Sequence, residues 1–253
     1  MDLRLSRRVG IKLAVGVLVA ASTAITPAAW GAPSNIAGMV VFIDPGHNGS
    51  NDASINRQVP TGRGGTKDCQ ASGTTTTAGY PEHTFTWDTA LRVRAELTAL
   101  GVRTALARAN DTGLGPCVDE RAGTANALHP NAILSIHADG GPPSGRGFHV
   151  NYSAPPLNQA QAGPSVQYAR IMRDQMQASG IPPANYIGQN GLYGRSDLAG
   201  LNLAQYPSVL VECGNMKNPA DSALMQSAEG RQKYADAMVR GVAGFLASQG
   251  QAR

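Results

Sequence analysis

The chain has 253 residues and a formal net charge of +4, and 42% of its residues are hydrophobic, 15% charged and 5% aromatic. This balance predicts a folded globular protein and excludes an intrinsically disordered chain, which would have fewer apolar residues and a larger net charge. Outside the N-terminus no apolar run reaches the roughly 18 residues that a membrane-spanning helix needs, so a polytopic membrane protein is also excluded.

The first 31 residues have the pattern of an export signal. Basic residues precede a short apolar stretch at positions 13–21, and positions 29–31 fit a cleavage site. The adjacent Arg7 and Arg8 resemble a twin-arginine signal. An ordinary secretory signal whose two arginines are adjacent by chance is one alternative, and an uncleaved membrane anchor is another.

Most of the positive charge belongs to this leader. Residues 1–31 contain four basic residues and one acidic residue, a net +3, so residues 32–253 carry the remaining +1. A nearly neutral chain gives no case for a nucleic-acid-binding surface. We expect residues 32–253 to form a single domain that is exported to the periplasm, the cell wall or the medium, with no membrane segment in the mature form.

Apolar strands alternate with helices through the rest of the chain. A polar segment rich in Gly and Thr, residues 48–80, is long for a connection, which favours a functional loop. The alternation predicts an α/β fold, a three-layer sandwich whose mostly parallel, twisted sheet is flanked by helices. Strands are predicted at 39–44, 102–107, 132–137, 147–152 and 208–212, and helices at 82–100, 118–128, 165–179, from 218, and at 229–247.

Three cysteines are present, and in an exported protein one pair is expected to oxidise. Cys213 ends an apolar run and should be buried. Cys69 and Cys117 lie in loops, which favours a disulfide between them. Closing a loop of about 48 residues would stabilise the fold by about 4 kcal/mol. Three free thiols are the alternative.

Reactive side chains end three of the predicted strands. His47, His137 and Glu212 each follow an apolar run, and Glu82 begins the first long helix. Ligands of open α/β sheets bind beyond the carboxyl ends of the strands, so these residues can converge. Two histidines and a glutamate are a zinc-hydrolase ligand set, and a second glutamate would act on the bound water. Structural histidines and a helix-start glutamate that serves the macrodipole are the alternatives.

With these residues in their order, the chain resembles the zinc-dependent N-acetylmuramoyl-L-alanine amidases of the type 3 family, close to small secreted actinobacterial members. The resemblance covers residues 39–248. Several short motifs carry it together. They are IDPGHNG at 43–49, Glu82 before its helix, Arg108, Arg121 with Ala125 and Asn126, SIHAD at 135–139, Arg195 with Asp197 and Leu198, PSVLVECG at 207–214, and Asn218 with Pro219.

The resemblance implies an enzyme that hydrolyses the amide bond between N-acetylmuramic acid and L-alanine in peptidoglycan or muropeptides. It implies that His47, Glu82 and His137 bind one Zn²⁺ and that Glu212 is catalytic. His83, adjacent to Glu82, is the alternative match at that position. Asp44 is a candidate to orient His47.

Other polar residues are candidates for substrate binding: Arg108, Arg121, Arg195 and Asn215. The two arginines at 108 and 121 would bind acidic groups of the stem peptide, with structural ion pairs as the alternative. Asn215 stands where the family commonly has an aromatic residue. His149 is the best substitute for one of the metal ligands.

Two rival functions remain open at this point. One is a catalytically silent module that binds or regulates the wall, and the other is a zinc peptidase acting within the stem peptide. We expect a monomer with peptidoglycan or muropeptide as its partner. The short segment after His137 leaves little room for a helical plug, so we expect an open groove.

Overall fold

The computed structural model describes residues 31–250, so the predicted export signal lies outside the described residues except for its last position. Within that range the chain forms eight strands and seven helices. The strands are β1 (Val40–Pro45), β2 (Gln58–Pro60), β3 (Thr66–Asp68), β4 (Arg103–Leu106), β5 (Ala132–Asp139), β6 (His149–Ser153), β7 (Leu192–Arg195) and β8 (Ser208–Asn215). The helices are α1 (Glu82–Ala99), α2 (Val118–Ala127), α3 (Gln159–Ala162), α4 (Pro164–Ala178), α5 (Ala199–Leu203), α6 (Pro219–Gln226) and α7 (Ala228–Gly250).

Six of the strands form one sheet in the order β4-β1-β5-β8-β6-β7. Strands β4, β1, β5 and β8 are parallel, whereas β6 runs antiparallel to β8 and pairs with β7 in parallel. Helices cover both faces of the sheet, with α1, α4 and α7 packed together on one side and α2 and α5 on the other. The predicted mostly parallel α/β sandwich is confirmed.

Successive side chains of a strand point to opposite faces, and the two faces of this sheet differ in chemistry. One face is mostly apolar and packs under α1, α4 and α7; its members include Val41, Ile43, Leu134, Ile136, Val209 and Val211, each fully buried. The other face begins with a small apolar cluster against α2 that contains Phe42 and Ile133. Towards the strand ends this second face becomes polar and carries the candidate catalytic residues.

The segment 48–80 contains a small hairpin, β2–β3, that the sequence did not predict. Its tip is held in place, because the Arg63 guanidinium donates from Nε to Asn202 Oδ1 at 3.0 Å and from Nη2 to Ser153 Oγ at 2.9 Å. At its base, the predicted disulfide between Cys69 and Cys117 is confirmed and joins the end of β3 to the start of α2. Cys213 is a buried free thiol, as expected.

None of the helices within residues 31–250 has the length and apolar character needed to cross a membrane.

Candidate active site

The turn after β1 presents His47 to the carboxyl edge of the sheet. His47 adopts a φ of 63°, a left-handed conformation that is uncommon for any residue other than glycine. Its Nδ1 donates to the carbonyl oxygen of Ala71 at 2.9 Å, and its Nε2 lies 3.0 Å from Glu82 Oε1. The Ala71 carbonyl fixes the tautomer and leaves the lone pair of Nε2 for a metal ion. The suggestion that Asp44 orients His47 is therefore wrong.

A glycine lets this turn pass directly over His137. A Cβ atom added at Gly46 would lie 2.4 Å from His137 Cε1, closer than any non-bonded carbon pair allows. The two imidazoles consequently meet edge to face, with ring centroids 4.8 Å apart. Any larger residue at position 46 would displace one of them.

Glu82 lies at the first position of α1 with its carboxylate buried between the two histidines. Oε1 accepts from the backbone N–H of Ala138 and Oε2 from that of Thr74, both at 3.0 Å. Burial alone would raise the pKa of Glu82, but hydrogen bonds and charge from His137 and His47 hold it well below its usual range. His83, its neighbour, points elsewhere, since its Nδ1 lies 2.8 Å from Asp111 Oδ1.

One ligand atom each from His47, Glu82 and His137 lies within 4.8 Å of the others. Two neutral imidazole nitrogens and an ionised carboxylate form a donor set that suits zinc and leaves a fourth position for water. The residues present therefore fit a catalytic metal site, and among residues 31–250 no other group of three such side chains converges in this way.

Glu212 stands beside this cluster on β8, in register with His137 on the adjacent parallel strand β5. It lines the groove, yet its Oε2 is buried without a hydrogen-bond partner among the described residues. Burial, followed by the negative charges of Glu82 and Asp139, raises the pKa of Glu212 well above its usual value. A carboxyl group tuned in this way suits proton transfer near neutral pH.

The cluster opens into a groove of about 740 Å³. Its floor is the polar face of β1, β5 and β8, and its walls are α2, α5 and the segment 70–74. The connection between β5 and β6 contains no helix. One short helix that the sequence did not predict, α3, lies between His137 and α4, and none of its four residues lines the groove, which agrees with the expected open groove.

Two of the predicted substrate-binding arginines brace the turn around His47. The guanidinium of Arg121 is 4% exposed and all five of its N–H donors are engaged within the protein. Their acceptors are the side chains of Asp44 and Asn48 and the carbonyls of Pro45, His47 and Pro116. These contacts leave no donor for substrate and favour the structural alternative.

Arg108 is buried in the same way. Its donors reach the carbonyls of Pro45, His83 and Asn110, the Asp111 carboxylate and the Thr86 hydroxyl. The sequence left substrate binding and structural ion pairs open for both arginines, because a pattern of residue types does not show which carbonyls surround a buried guanidinium.

Asn215 is also not a groove residue. It is fully buried, its Nδ2 donates to the carbonyls of Pro142 and Gly145, and its Oδ1 accepts from the Lys217 N–H. Arg195 alone of the four keeps an open position: it pairs with Asp197, stacks over the Tyr193 ring at 4.9 Å, and is near enough to Glu212 to act on its pKa.

Comparisons with known proteins agree with this geometry. A family model described as N-acetylmuramoyl-L-alanine amidase matches residues 41–244. The N-acetylmuramoyl-L-alanine amidase Rv3717 of Mycobacterium tuberculosis is 82% identical over 239 residues, which are 94% of this chain and 99% of that protein. The crystal structure of the N-acetylmuramyl-L-alanine amidase Ami1 from Mycobacterium smegmatis superposes with a TM-score of 0.85 at 79% identity, covering 85% of this chain and all of that one. The crystal structure of the apo form of Ami1 from Mycobacterium abscessus superposes with a TM-score of 0.83 at 64% identity, covering 83% of this chain and all of that one.

Proposed function

Because this chain belongs to the N-acetylmuramoyl-L-alanine amidase family and is a cell-wall hydrolase of that activity, we propose that His47, Glu82 and His137 hold one zinc ion and that Glu212 moves the protons of the reaction. The observation that supports this assignment most directly is the convergence of three ligand atoms within 4.8 Å, with Glu212 in register beside them.

When bound, the zinc ion supplies a Lewis acid that lowers the pKa of water towards about 7 and polarises the scissile carbonyl. The protein's residues do the rest. Glu212 accepts a proton from the attacking water and delivers it to the amide nitrogen, which must leave as a neutral amine. Its raised pKa suits both halves of that transfer. Ala71, Gly46 and Arg121 fix the imidazoles before substrate arrives.

Arg195 is the remaining candidate for substrate recognition. Its side chain is 23% exposed and near enough to Glu212 to act on the pKa of that carboxylate, and a carboxylate of the stem peptide would compete with Asp197 for the guanidinium. We propose that it selects the peptide and takes no part in the cleavage step.

We further propose that the mature chain is one catalytic domain, residues 32–253, that acts as an exported monomer on peptidoglycan or muropeptides. The disulfide between Cys69 and Cys117 supports export, since such bonds persist in oxidising compartments. The activity supports it too, because the substrate of a cell-wall amidase lies outside the cytoplasm.

The decisive experiment combines hydrolysis of muramoyl-dipeptide with zinc content by elemental analysis, for the wild type and Glu212→Gln. Glu229→Gln, an exposed glutamate on α7, is the matched control. We expect one zinc per chain in all three proteins. The wild type and the control should release N-acetylmuramic acid and free dipeptide, and only Glu212→Gln should lose activity.

Other outcomes would select a rival function. Metal-loaded protein that releases L-alanine, or that cleaves only longer stems, would indicate a peptidase. Protein without zinc and without product would indicate the silent wall-binding module and would refute the ligand assignment.

A further inference from the structure

A histidine on β6, His149, lies next to Glu212, the proposed proton-transfer residue, on the side opposite to His137. Strand β6 runs antiparallel to β8, and the pairing places His149 directly opposite Glu212. Paired residues of antiparallel strands project from the same face of the sheet, with Cβ atoms about 4.5–5.5 Å apart. The His149 side chain is therefore directed to the same face as the Glu212 carboxylate.

Both of these side chains carry an unpaired buried atom. His149 is 2% exposed, and its Nδ1 has no hydrogen-bond partner among residues 31–250; the same holds for Glu212 Oε2. Native proteins pair most buried polar atoms, so an unpaired one calls for an explanation. Here two of them, one able to donate and one able to accept, belong to neighbouring residues.

None of the described groups around His149 is hydrogen-bonded to its Nδ1; they include two aromatic rings and the charged side chains of Asp139 and Arg195, which act on its pKa after the larger effect of burial. The rings of Tyr186 and Tyr193 lie at centroid distances of 6.4 and 6.1 Å, edge-on to the imidazole. The Tyr186 hydroxyl is engaged, since it donates to Asp139 Oδ2 at 2.8 Å. His149 also lies outside the group of converging metal ligands, so it is not a substitute for His47 or His137.

The charge state of His149 suits a donor role. Burial lowers the pKa of His149 to about 4, so the ring is neutral at neutral pH and carries one N–H. A neutral imidazole protonated on Nδ1 can hold a carboxylate without neutralising it, whereas a charged one would make the carboxylate a weaker base.

We propose that His149 is a positioning residue for Glu212: its Nδ1–H donates to one ordered water that in turn donates to Glu212 Oε2, and this bridge holds the carboxylate so that Oε1 faces the attacking water. This inference rests on the proposed role of Glu212. It assigns no contact with substrate to His149, whose effect is exerted through the carboxylate.

The kinetic test compares His149→Phe, which keeps a ring but has no donor, with His149→Asn, which keeps an N–H donor at the δ position. With muramoyl-dipeptide as substrate we expect kcat of His149→Phe to fall by about tenfold or more, with KM within about twofold. His149→Asn should recover most of kcat. The matched control is His129→Phe, an exposed histidine, which should keep full activity.

A double-mutant cycle tells the two proposals apart. In a Glu212→Gln background, His149→Phe should lower the residual rate no further, because both changes disable the same proton transfer by Glu212. An active Glu212→Gln enzyme would refute the proposed general base by itself. An inactive Glu212→Gln together with a fully active His149→Phe would overturn the positioning role alone.

A spectroscopic readout does not depend on activity. In zinc-loaded protein with ¹⁵N-labelled histidine, the resonances lost in His149→Asn identify this ring. We expect the Nδ1–H tautomer at neutral pH. The Nε2–H tautomer would overturn the inference, as would loss of zinc or of thermal stability in His149→Asn equal to that in His149→Phe, which would indicate a packing role.

Discussion

At the scale of single residues, the proposed metal ligands are oriented by groups that would not themselves bind the metal. The carbonyl of Ala71 selects the nitrogen of His47 that would face a metal ion, and Arg121 binds the turn that carries His47 through two backbone carbonyls. Burial alone would raise the pKa of Asp44, but its ion pair with Arg121 holds it below the usual range. The aspartate therefore stays ionised beside Arg121.

Removal of Arg121 should cost both stability and metal. Arg121→Met leaves the Asp44 carboxylate without its ion pair and the carbonyls of His47 and Pro116 without donors, so we expect the free energy of unfolding to fall by about 3–5 kcal/mol. Zinc affinity should fall as well, because the turn around His47 loses its anchor. Urea unfolding and metal titration measure the two effects.

The matched control is Arg57→Met. Arg57 pairs with Glu120 at the surface, where both side chains are at least half exposed, so the cost should stay below about 1 kcal/mol. Equal losses in the two variants would contradict the bracing role of Arg121.

The proposed ligands could be found from the sequence because each follows an apolar strand or begins a helix. The groups that hold these ligands in place could not be found in this way. Ala71 acts through its backbone carbonyl, which any residue would supply, and Asn215 is occupied by carbonyls from a loop that is distant in sequence. His149 was noticed only as a substitute ligand, since its alignment with Glu212 depends on the register of two strands.

At the scale of secondary structure, the apolar segments were predicted well, including the four-residue strand β4, whereas three short strands with little apolar sequence were missed. The strand predicted at 132–137 is observed as Ala132–Asp139, and the helix predicted at 82–100 as Glu82–Ala99. Strands β2, β3 and β7 have only three or four residues, too few for a hydrophobic period to show. They are held by contacts that are distant in sequence, such as those of Arg63.

The disulfide should supply much of the stability of the hairpin region. It closes a separation of 48 residues, for which the chain-entropy relation gives about 4 kcal/mol. We expect the double variant Cys69→Ser, Cys117→Ser to lose about that much free energy of unfolding in urea. Wild-type protein unfolded under reducing conditions should match it, since Cys213 is already a thiol; a clear mismatch would show that the serines themselves perturb the fold.

The interface between α1 and α7 should make stability depend on pH. Gln232 Nε2 donates to Glu96 Oε1 at 2.6 Å and to Asp236 Oδ1 at 2.7 Å. Burial and the Asp236 charge raise the pKa of Glu96 to about 7. The native state then binds more protons than the unfolded chain between about pH 4.5 and 7, so the free energy of unfolding falls as pH rises through that range.

Glu96→Gln mimics the neutral acid and should remove this dependence. At pH 8 we expect its free energy of unfolding to exceed that of the wild type by about 1 kcal/mol, a figure reduced because Glu96 is partly exposed. Near pH 4.5 the two proteins should differ little. Glu229→Gln on α7 is the control. A Glu96→Gln protein that is no more stable than wild type at pH 8 would contradict the raised pKa of Glu96.

At the scale of the whole molecule, the proposed metal ligands join parts of the fold that are distant in sequence: the turn after β1, the start of α1 and the end of β5. A metal ion that binds only the native arrangement stabilises all three together. Zinc loading is therefore expected to act on global unfolding and not only on the groove.

Zinc at about a thousand times its dissociation constant should raise the midpoint of thermal unfolding by about 10 °C over chelator-treated protein. His137→Ala should show no such zinc-dependent rise. Calorimetry with and without zinc measures both, and an equal rise in the variant would place the stabilising ion elsewhere.

The division of the sheet into an apolar face and a polar face constrains how such a protein can change over generations. In β5 and β8, one set of alternate positions packs in the core under α1, α4 and α7, and the proposed metal-binding and catalytic residues lie in the other set, so substitutions can alter folding or catalysis separately. A one-residue insertion or deletion within either strand would alter both properties at once, because it would turn His137 or Glu212 into the core and bring Ile136 or Cys213 to the groove. Inheritable changes of length must therefore fall in the connections, and substrate range can diversify there while both strands keep their length.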